Sequence, residues 1–175
     1  GITRLVFSSS AAVYGMPESV PIEETASTRP VNAYGESKLI TEQMLRWYAS
    51  QRGLNSVSLR YFNAAGAAFG AGEDHQPESH LIPAALRVAL GKSPGLQLFG
   101  TDYPTPDGTC VRDYVHVHDL AEAHLLALAK CEGGSGIYNL GNGTGFSNRE
   151  VIEVCREVSG HPIPVTEAPR REGDP

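Results

Sequence analysis

The sequence predicts an α/β protein: part of a Rossmann-type, doubly wound parallel sheet with a smaller α/β unit attached. Three observations carry this. Strand-like and helix-like stretches alternate along the 175 residues. Leu5-Val6-Phe7, near the start, is a short apolar run feeding into small polar residues, as expected of a parallel strand covered on both faces. Residues 64–109 are rich in Gly and Pro and broken by one helical pattern, an excursion of the size that usually carries function.

The first strand ends in Ser8-Ser9-Ser10. Residues 32–52 have helical periodicity, with Leu39, Ile40, Met44, Leu45, Trp47 and Tyr48 as apolar positions, Pro30 ahead and Gly53 behind. Residues 56–61 form a strand, and 81–90 a helix closed by Gly91. A β-rich run at 111–117 leads into an apolar helix at 120–129, with Asp119 expected at its N-cap. Residues 137–140 are a further strand. Ser147-Asn148-Arg149-Glu150 is a capping box that opens a helix ending near Gly160. The chain enters in mid-sheet and ends in a charged stretch, so it reads as a piece of a longer protein cut at both ends.

Composition narrows the functional classes. The chain is 41% hydrophobic and 19% charged, and its net charge of −6 leaves no basic stripe for a nucleic acid. No apolar run approaches a membrane span. Cys110, Cys131 and Cys155 stand far apart without metal spacing, as buried thiols of a reducing compartment would. A cytoplasmic enzyme or binding protein remains. His116 and His118 share a strand face, but no third ligand has suitable spacing, so no metal is expected. Residues 141–145 (Gly-Asn-Gly-Thr-Gly) lack G-x-G-x-x-G spacing and read as a left-handed turn before the capping box.

Two constellations carry chemistry. Tyr34 and Lys38 are four apart on a helix and share a face. An ammonium beside a phenol favours the phenolate, a candidate general base for a substrate hydroxyl. In isolation the pair fits an ordinary exposed helix face better. Ser8, Ser9 and Ser10 end an apolar strand, where open α/β sheets bind ligands, although a serine cluster alone is more often a turn. The hydroxyls followed 24 residues after Ser10 by Tyr34 and Lys38 favour function over either bland reading.

That combination resembles the short-chain dehydrogenases/reductases. With Ser8 to Gly15, Ala33 to Lys38, Arg60 to Gly66, Leu98 to Thr109, Val111 to Val117, Tyr138 to Gly143 and Ala168 to Asp174, the chain resembles, in order and over its whole length, the UDP-glucose 4-epimerase family of extended reductases. Sibling dehydratases and decarboxylases usually carry an acidic residue within the Ser8-Ser9-Ser10-Ala11 motif. The resemblance implies NAD-dependent inversion at C4 of a UDP-hexose, interconverting UDP-glucose and UDP-galactose through a 4-keto sugar. Tyr34 would be the base, Lys38 would hold the NAD ribose, and Ser10 would hydrogen-bond the 4-oxygen. Ser8, Ser9, Tyr61 and Phe62 would line the cofactor, and Asn63 would contact substrate. His80 and Leu81 would open the helix facing the diphosphate. Gln97, Leu98 and Phe99 would bracket uracil, Arg112 and Arg171 would pair with the diphosphate, and Asp174 would accept from ribose hydroxyls.

Mapped onto the family, residues 1–66 and 113–134 would be the second half of the NAD-binding domain. Residues 67–112 and 135–175 would be an incomplete UDP-sugar domain. The NAD phosphate loop would lie upstream of Gly1, and the protein would be a cytoplasmic homodimer. Two alternatives stand beside this reading: a UDP-pentose or UDP-N-acetylhexosamine 4-epimerase, and a nucleotide-sugar-binding relative without turnover. An intact Ser10, Tyr34 and Lys38 speaks against the second.

Overall fold

The computed structural model of the protein describes residues 1–171. In chain order its elements are β1 (Arg4–Ser10), a 3-10 turn (Ala11–Tyr14), α1 (Ala33–Arg52), β2 (Asn55–Tyr61), β3 (Asn63–Ala65) and α2 (Leu81–Ala89). They continue with β4 (Leu96–Phe99), β5 (Val111–Arg112), β6 (Tyr114–His116), α3 (Val117–Lys130) and a second 3-10 turn (Cys131–Gly133). The last are β7 (Gly136–Leu140), β8 (Phe146–Ser147), α4 (Asn148–Ser159) and β9 (Val165–Ala168). Two compact units result: Gly1–Ala64 with Tyr114–Gly143, and Ala65–Asp113 with residues 144–171 of the described chain.

The first unit is a parallel sheet in the order β1-β2-β7. Its register pairs Ser8 with Leu59, Ser9 with Arg60, and Arg60 with Asn139. Side chains alternate across a strand, and here the alternation divides the work. Val6, Val57, Leu59, Tyr61 and Leu140 pack against Ala127 and Cys131, on the side of α3. Phe7, Ser9 and Arg60 face the side of α1, where Lys38 and Glu42 meet them. Helices therefore cover both faces, which is why these strands carry apolar residues at successive positions.

Helix α1 begins where Asn32 accepts a hydrogen bond from the Gly35 amide and ends at Gly53 in a left-handed cap. Gly35 is required by contact: a Cβ there would stand 2.5 Å from the Ala12 carbonyl oxygen and 3.1 Å from Pro30 Cβ. The start of α1 thus lies directly on the 3-10 turn that follows β1.

In the second unit β4 pairs with β9 in parallel and β5 with β8 antiparallel, while α2 packs on α4. Its buried side chains include Ala85, Val88, Leu96, Leu98, Val151, Ile152, Cys155 and Ile163. The capping box is complete: Ser147 Oγ accepts from the Glu150 amide at 3.1 Å, and the Glu150 carboxylate accepts from the Ser147 amide at 2.7 Å.

The structure departs from the sequence expectations in four places. Residues 135–143 belong with the first unit, because β7 hydrogen-bonds along β2. Asp119 lies in the first turn of α3 and does not cap it; His116 is the N-cap, its Nδ1 accepting from the His118 amide at 3.2 Å. The β-rich run at 111–117 is two short strands, β5 and β6, assigned to different units. The excursion at 64–109 contains a strand, β4, whose partner β9 comes only after α4. The three cysteines are buried thiols. No helix among the described residues is long and apolar enough to cross a membrane.

Candidate active site

The first unit gathers Ser8, Ser9, Ser10, Tyr34 and Lys38 where β1 ends. Lys38 Nζ donates to the Ser8 carbonyl oxygen at 3.0 Å and lies 5.4 Å from the centre of the Tyr34 ring. It also lies 5.3 Å from the Phe7 ring, so the ammonium rests between an aromatic floor and the phenol. Tyr34 is 54% exposed, so its ring is open to a ligand. Ser10 caps the 3-10 turn by accepting from the Ala12 amide at 3.2 Å, which leaves its hydroxyl proton to donate.

The three serines do different things. Ser8 Oγ is 2.9 Å from His124 Nε2, on the α3 side of the sheet. Ser9 is fully buried and donates to Glu42 Oε1 at 2.6 Å. Only Ser10 combines a nearly buried position with a hydroxyl proton left to give. The Tyr61 ring packs on the α3 side, 6.3 Å from the His124 ring. The Phe62 amide donates to the Leu140 carbonyl at 3.2 Å, and Asn63 opens β3.

An ammonium has three donors, and the structure uses one of Lys38's on Ser8. That leaves donors for vicinal hydroxyls of a ribose, and the open Tyr34 ring stands beside them. The residues present fit a nicotinamide nucleotide at this strand end.

In the second unit the predicted residues form a separate group. The Arg171 guanidinium lies 4.1 Å from the centre of the Phe99 ring, and its NH1 donates to the Ser79 carbonyl at 3.4 Å. Arg171, Phe99 and the start of α2 are therefore brought together. His80 is the N-cap of α2, followed by Leu81, but its side chain makes no capping bond. Its Nδ1 is instead 2.7 Å from Glu73 Oε1 and 3.0 Å from Glu78 Oε1. Nδ1 is committed to carboxylates, so an anion would have to meet Nε2. Burial pushes the Glu78 carboxyl up, and hydrogen bonds from the His80 amide and ring outweigh it, so it titrates below its ordinary range. On β4 the strand alternation splits the expected trio: Gln97 is exposed, Phe99 half-buried, and Leu98 packed inside at 1% exposure. Arg112 is half-buried in β5. Asp174 lies outside the described residues.

Sequence reasoning missed a buried ion pair. Glu42 and Arg60 are 2% and 4% exposed and meet in a fork: Nε to Oε1 at 2.9 Å and NH2 to Oε2 at 2.6 Å. Burial works against the Arg60 charge, but hydrogen bonds to Glu42 and Tyr14 outweigh it and hold the guanidinium above its ordinary range. Its signal was legible: an arginine within a strand covered on both faces demands a buried partner. Asp107 was missed as well. It accepts from the Thr109 amide and hydroxyl, each at 2.8 Å, and from the Ser147 hydroxyl.

A parallel sheet with helices on both faces, and a hydroxyl-tipped strand beside a Tyr-x-x-x-Lys helix, defines a Rossmann-type α/β protein. The model of the NAD dependent epimerase/dehydratase family matches residues 1–141, and the chain belongs to that family. It is similar to a UDP-glucose 4-epimerase of Halalkalibacterium halodurans, 57% identical over 99% of this chain and 53% of the relative. Among solved structures it is similar to a Brucella ovis UDP-glucose 4-epimerase in complex with NAD (48% identity, TM-score 0.93, 99% of this chain, 55% of that one). A Bifidobacterium longum UDP-glucose 4-epimerase in complex with NAD+ and UDP also matches (44% identity, TM-score 0.90, 98% and 53%). The chain spans about half the length of the curated relatives it matches.

Proposed function

We propose that the protein containing this chain epimerises a UDP-hexose at C4, interconverting UDP-glucose and UDP-galactose with NAD. The observation that carries the reading is the Lys38 ammonium held between the Ser8 carbonyl and the Tyr34 ring where β1 ends. The relatives named above, which are UDP-glucose 4-epimerases, support it.

Bound NAD would accept the C4 hydride and return it to the opposite face of the sugar. Everything else falls to the chain's own groups. Tyr34 takes the proton of the 4-hydroxyl, and Lys38 steadies the phenolate electrostatically while holding ribose hydroxyls. Ser10 donates to the 4-oxygen. Ser8, Tyr61 and Phe62 line the cofactor side, whereas Ser9, fully buried and bonded to Glu42, supports the strand end from within. Asn63 meets the sugar. In the second unit Arg171 and Arg112 pair with the diphosphate, helped by the start of α2 at His80 and Leu81. Gln97 and Phe99 flank uracil, with Leu98 serving them as packing. Asp174 holds ribose hydroxyls. We read Gly1–Ala64 with Tyr114–Gly143 as the NAD side and the other unit as the UDP-sugar side.

We also read the protein as a cytoplasmic homodimer. Supporting that, α1 presents Met44, Trp47 and Tyr48 to solvent, each more than half exposed. Light scattering is expected to give twice the protomer mass, and a monomer would refute it.

The test is incubation of the protein with NAD and UDP-galactose, followed by chromatography. UDP-glucose as product supports the reading. Turnover only of UDP-N-acetylgalactosamine or a UDP-pentose would change the substrate, and a bound but unchanged sugar would make the protein a binder.

A further inference from the structure

The buried pair Glu42–Arg60 is outside the proposed chemistry, yet it is placed on the same helix. Glu42 follows Lys38 by one turn and Tyr34 by two, so all three share a strip of α1. The helix buries only Gly35, Leu39, Glu42 and Leu45 out of 20 residues. One of the four residues it buries is therefore a carboxylate.

That carboxylate is fully engaged. Besides the two-pronged contact with Arg60, it accepts from the Ser9 hydroxyl at 2.6 Å. Arg60 NH1 donates onward to the Tyr14 hydroxyl at 2.9 Å, and the Tyr14 hydroxyl donates to Asn139 Oδ1 at 2.7 Å. Asn139 Nδ2 donates to the Ile22 carbonyl at 2.9 Å. The chain Ser9–Glu42–Arg60–Tyr14–Asn139 thus ties α1 to the C-terminal portions of β1, β2 and β7 and to the 3-10 turn.

A buried ion pair is a poor choice for stability alone, because well-packed apolar residues of similar volume often do as well or better. What the fork contact adds is direction. Apolar contact is non-directional and tolerates sliding; two parallel N–H···O bonds fix both the rotation and the axial position of a helix. A displacement of about 1 Å at a reacting group can cost about 100-fold in rate.

We propose that Glu42 and Arg60 are positioning residues, which set where Tyr34 and Lys38 stand relative to the end of β1. The proposal rests on the epimerase reading above. Two variants of the protein, assayed with NAD and UDP-galactose, test it. Glu42→Asp keeps the charges compensated but shortens the strut by one methylene. The double variant Glu42→Leu/Arg60→Met removes both charges together. Each is melted, and kcat is expressed per folded molecule. The expected result is cooperative melting with kcat lowered 10- to 100-fold and the KM for UDP-galactose within twofold of wild type. A merely structural pair would return kcat to within twofold of wild type in either folded variant, which overturns the proposal. If the double variant does not fold, Glu42→Asp decides alone. A wild-type protein without turnover overturns both the function and the positioning role, whereas active wild type with unaffected variants overturns only the latter.

Discussion

Replacing Asp107 with Asn should loosen the second unit where the loop before β5 meets the start of α4. Asp107 Oδ1 accepts two hydrogen bonds from Thr109, and Oδ2 accepts one from the Ser147 hydroxyl. An asparagine keeps its oxygen for Thr109 but turns an NH2 toward Ser147, whose oxygen already accepts from the Glu150 amide. The serine proton then loses its acceptor. One hydrogen bond to a charged group is lost, roughly 1.5–3 kcal/mol, and the capping box of α4 is disturbed, within roughly 0.5–2 kcal/mol. The expected destabilisation at pH 7 is about 2–5 kcal/mol, read from urea unfolding followed by circular dichroism. The pH dependence has a definite sign. Burial pushes the Asp107 carboxyl up, but the bonds from Ser147 and Thr109 outweigh it and depress it below its ordinary value. A depressed carboxyl contributes stability above its unfolded value, about 3.9, and loses it as pH falls through the folded value. The difference between wild type and Asp107→Asn should be flat above about pH 5 and shrink below about pH 4. A variant within about 0.5 kcal/mol of wild type at pH 7 would refute the reasoning, as would a gap that widens in acid.

Tyr34→Phe removes the proposed base while leaving the ring, so kcat should fall by about 10²–10⁴-fold with UDP binding unchanged; more than half of wild-type kcat would exclude Tyr34. Arg171→Ala should weaken UDP by about 1.5–3 kcal/mol in calorimetry and leave NAD affinity alone; equal UDP affinity would remove Arg171 from the site. Leu59→Ala, in the sheet facing Ala127 and Cys131, should destabilise the first unit by about 2–5 kcal/mol in urea titration; a loss below about 1 kcal/mol would mean that this cluster is not the core.

Much of the fold was legible because its signals are local. Residues 32–52 carried the apolar positions, with Pro30 ahead and the Gly53 stop behind, and α1 follows them closely. Ser147 and Glu150 announced the start of α4 in four residues. What was not legible depends on partners distant in sequence. Leu96–Phe99 is too short to stand out from a Gly/Pro-rich stretch, and only its pairing with Val165–Ala168 makes it a strand. Strand β7 was recognised, but its unit is decided by its hydrogen bonds to β2.

The candidate site divides the same way. Tyr34 and Lys38 share a face by helical periodicity alone, and the structure places them against Ser8. The side-chain directions of the three serines could not be read, because a run of identical residues carries no pattern. Alternation along β1 sends Ser8 to His124 and Ser9 to Glu42. Asp119 looked like a cap because it preceded an apolar run, but α3 starts two residues earlier and His116 caps it. The carboxylates around His80 went unseen because Glu73 and Glu78 belong to no regular element.

In the epimerisation proposed above, C4 is inverted by removal and return of the same hydride within one closed cycle on the protein. The most direct measurement is incubation with NAD and UDP-galactose carrying deuterium at C4 of the sugar, with mass spectrometry of the product. The expected product is UDP-glucose that keeps the deuterium at C4, without exchange into solvent. Product that has lost the label to water, or no UDP-glucose at all, would contradict it.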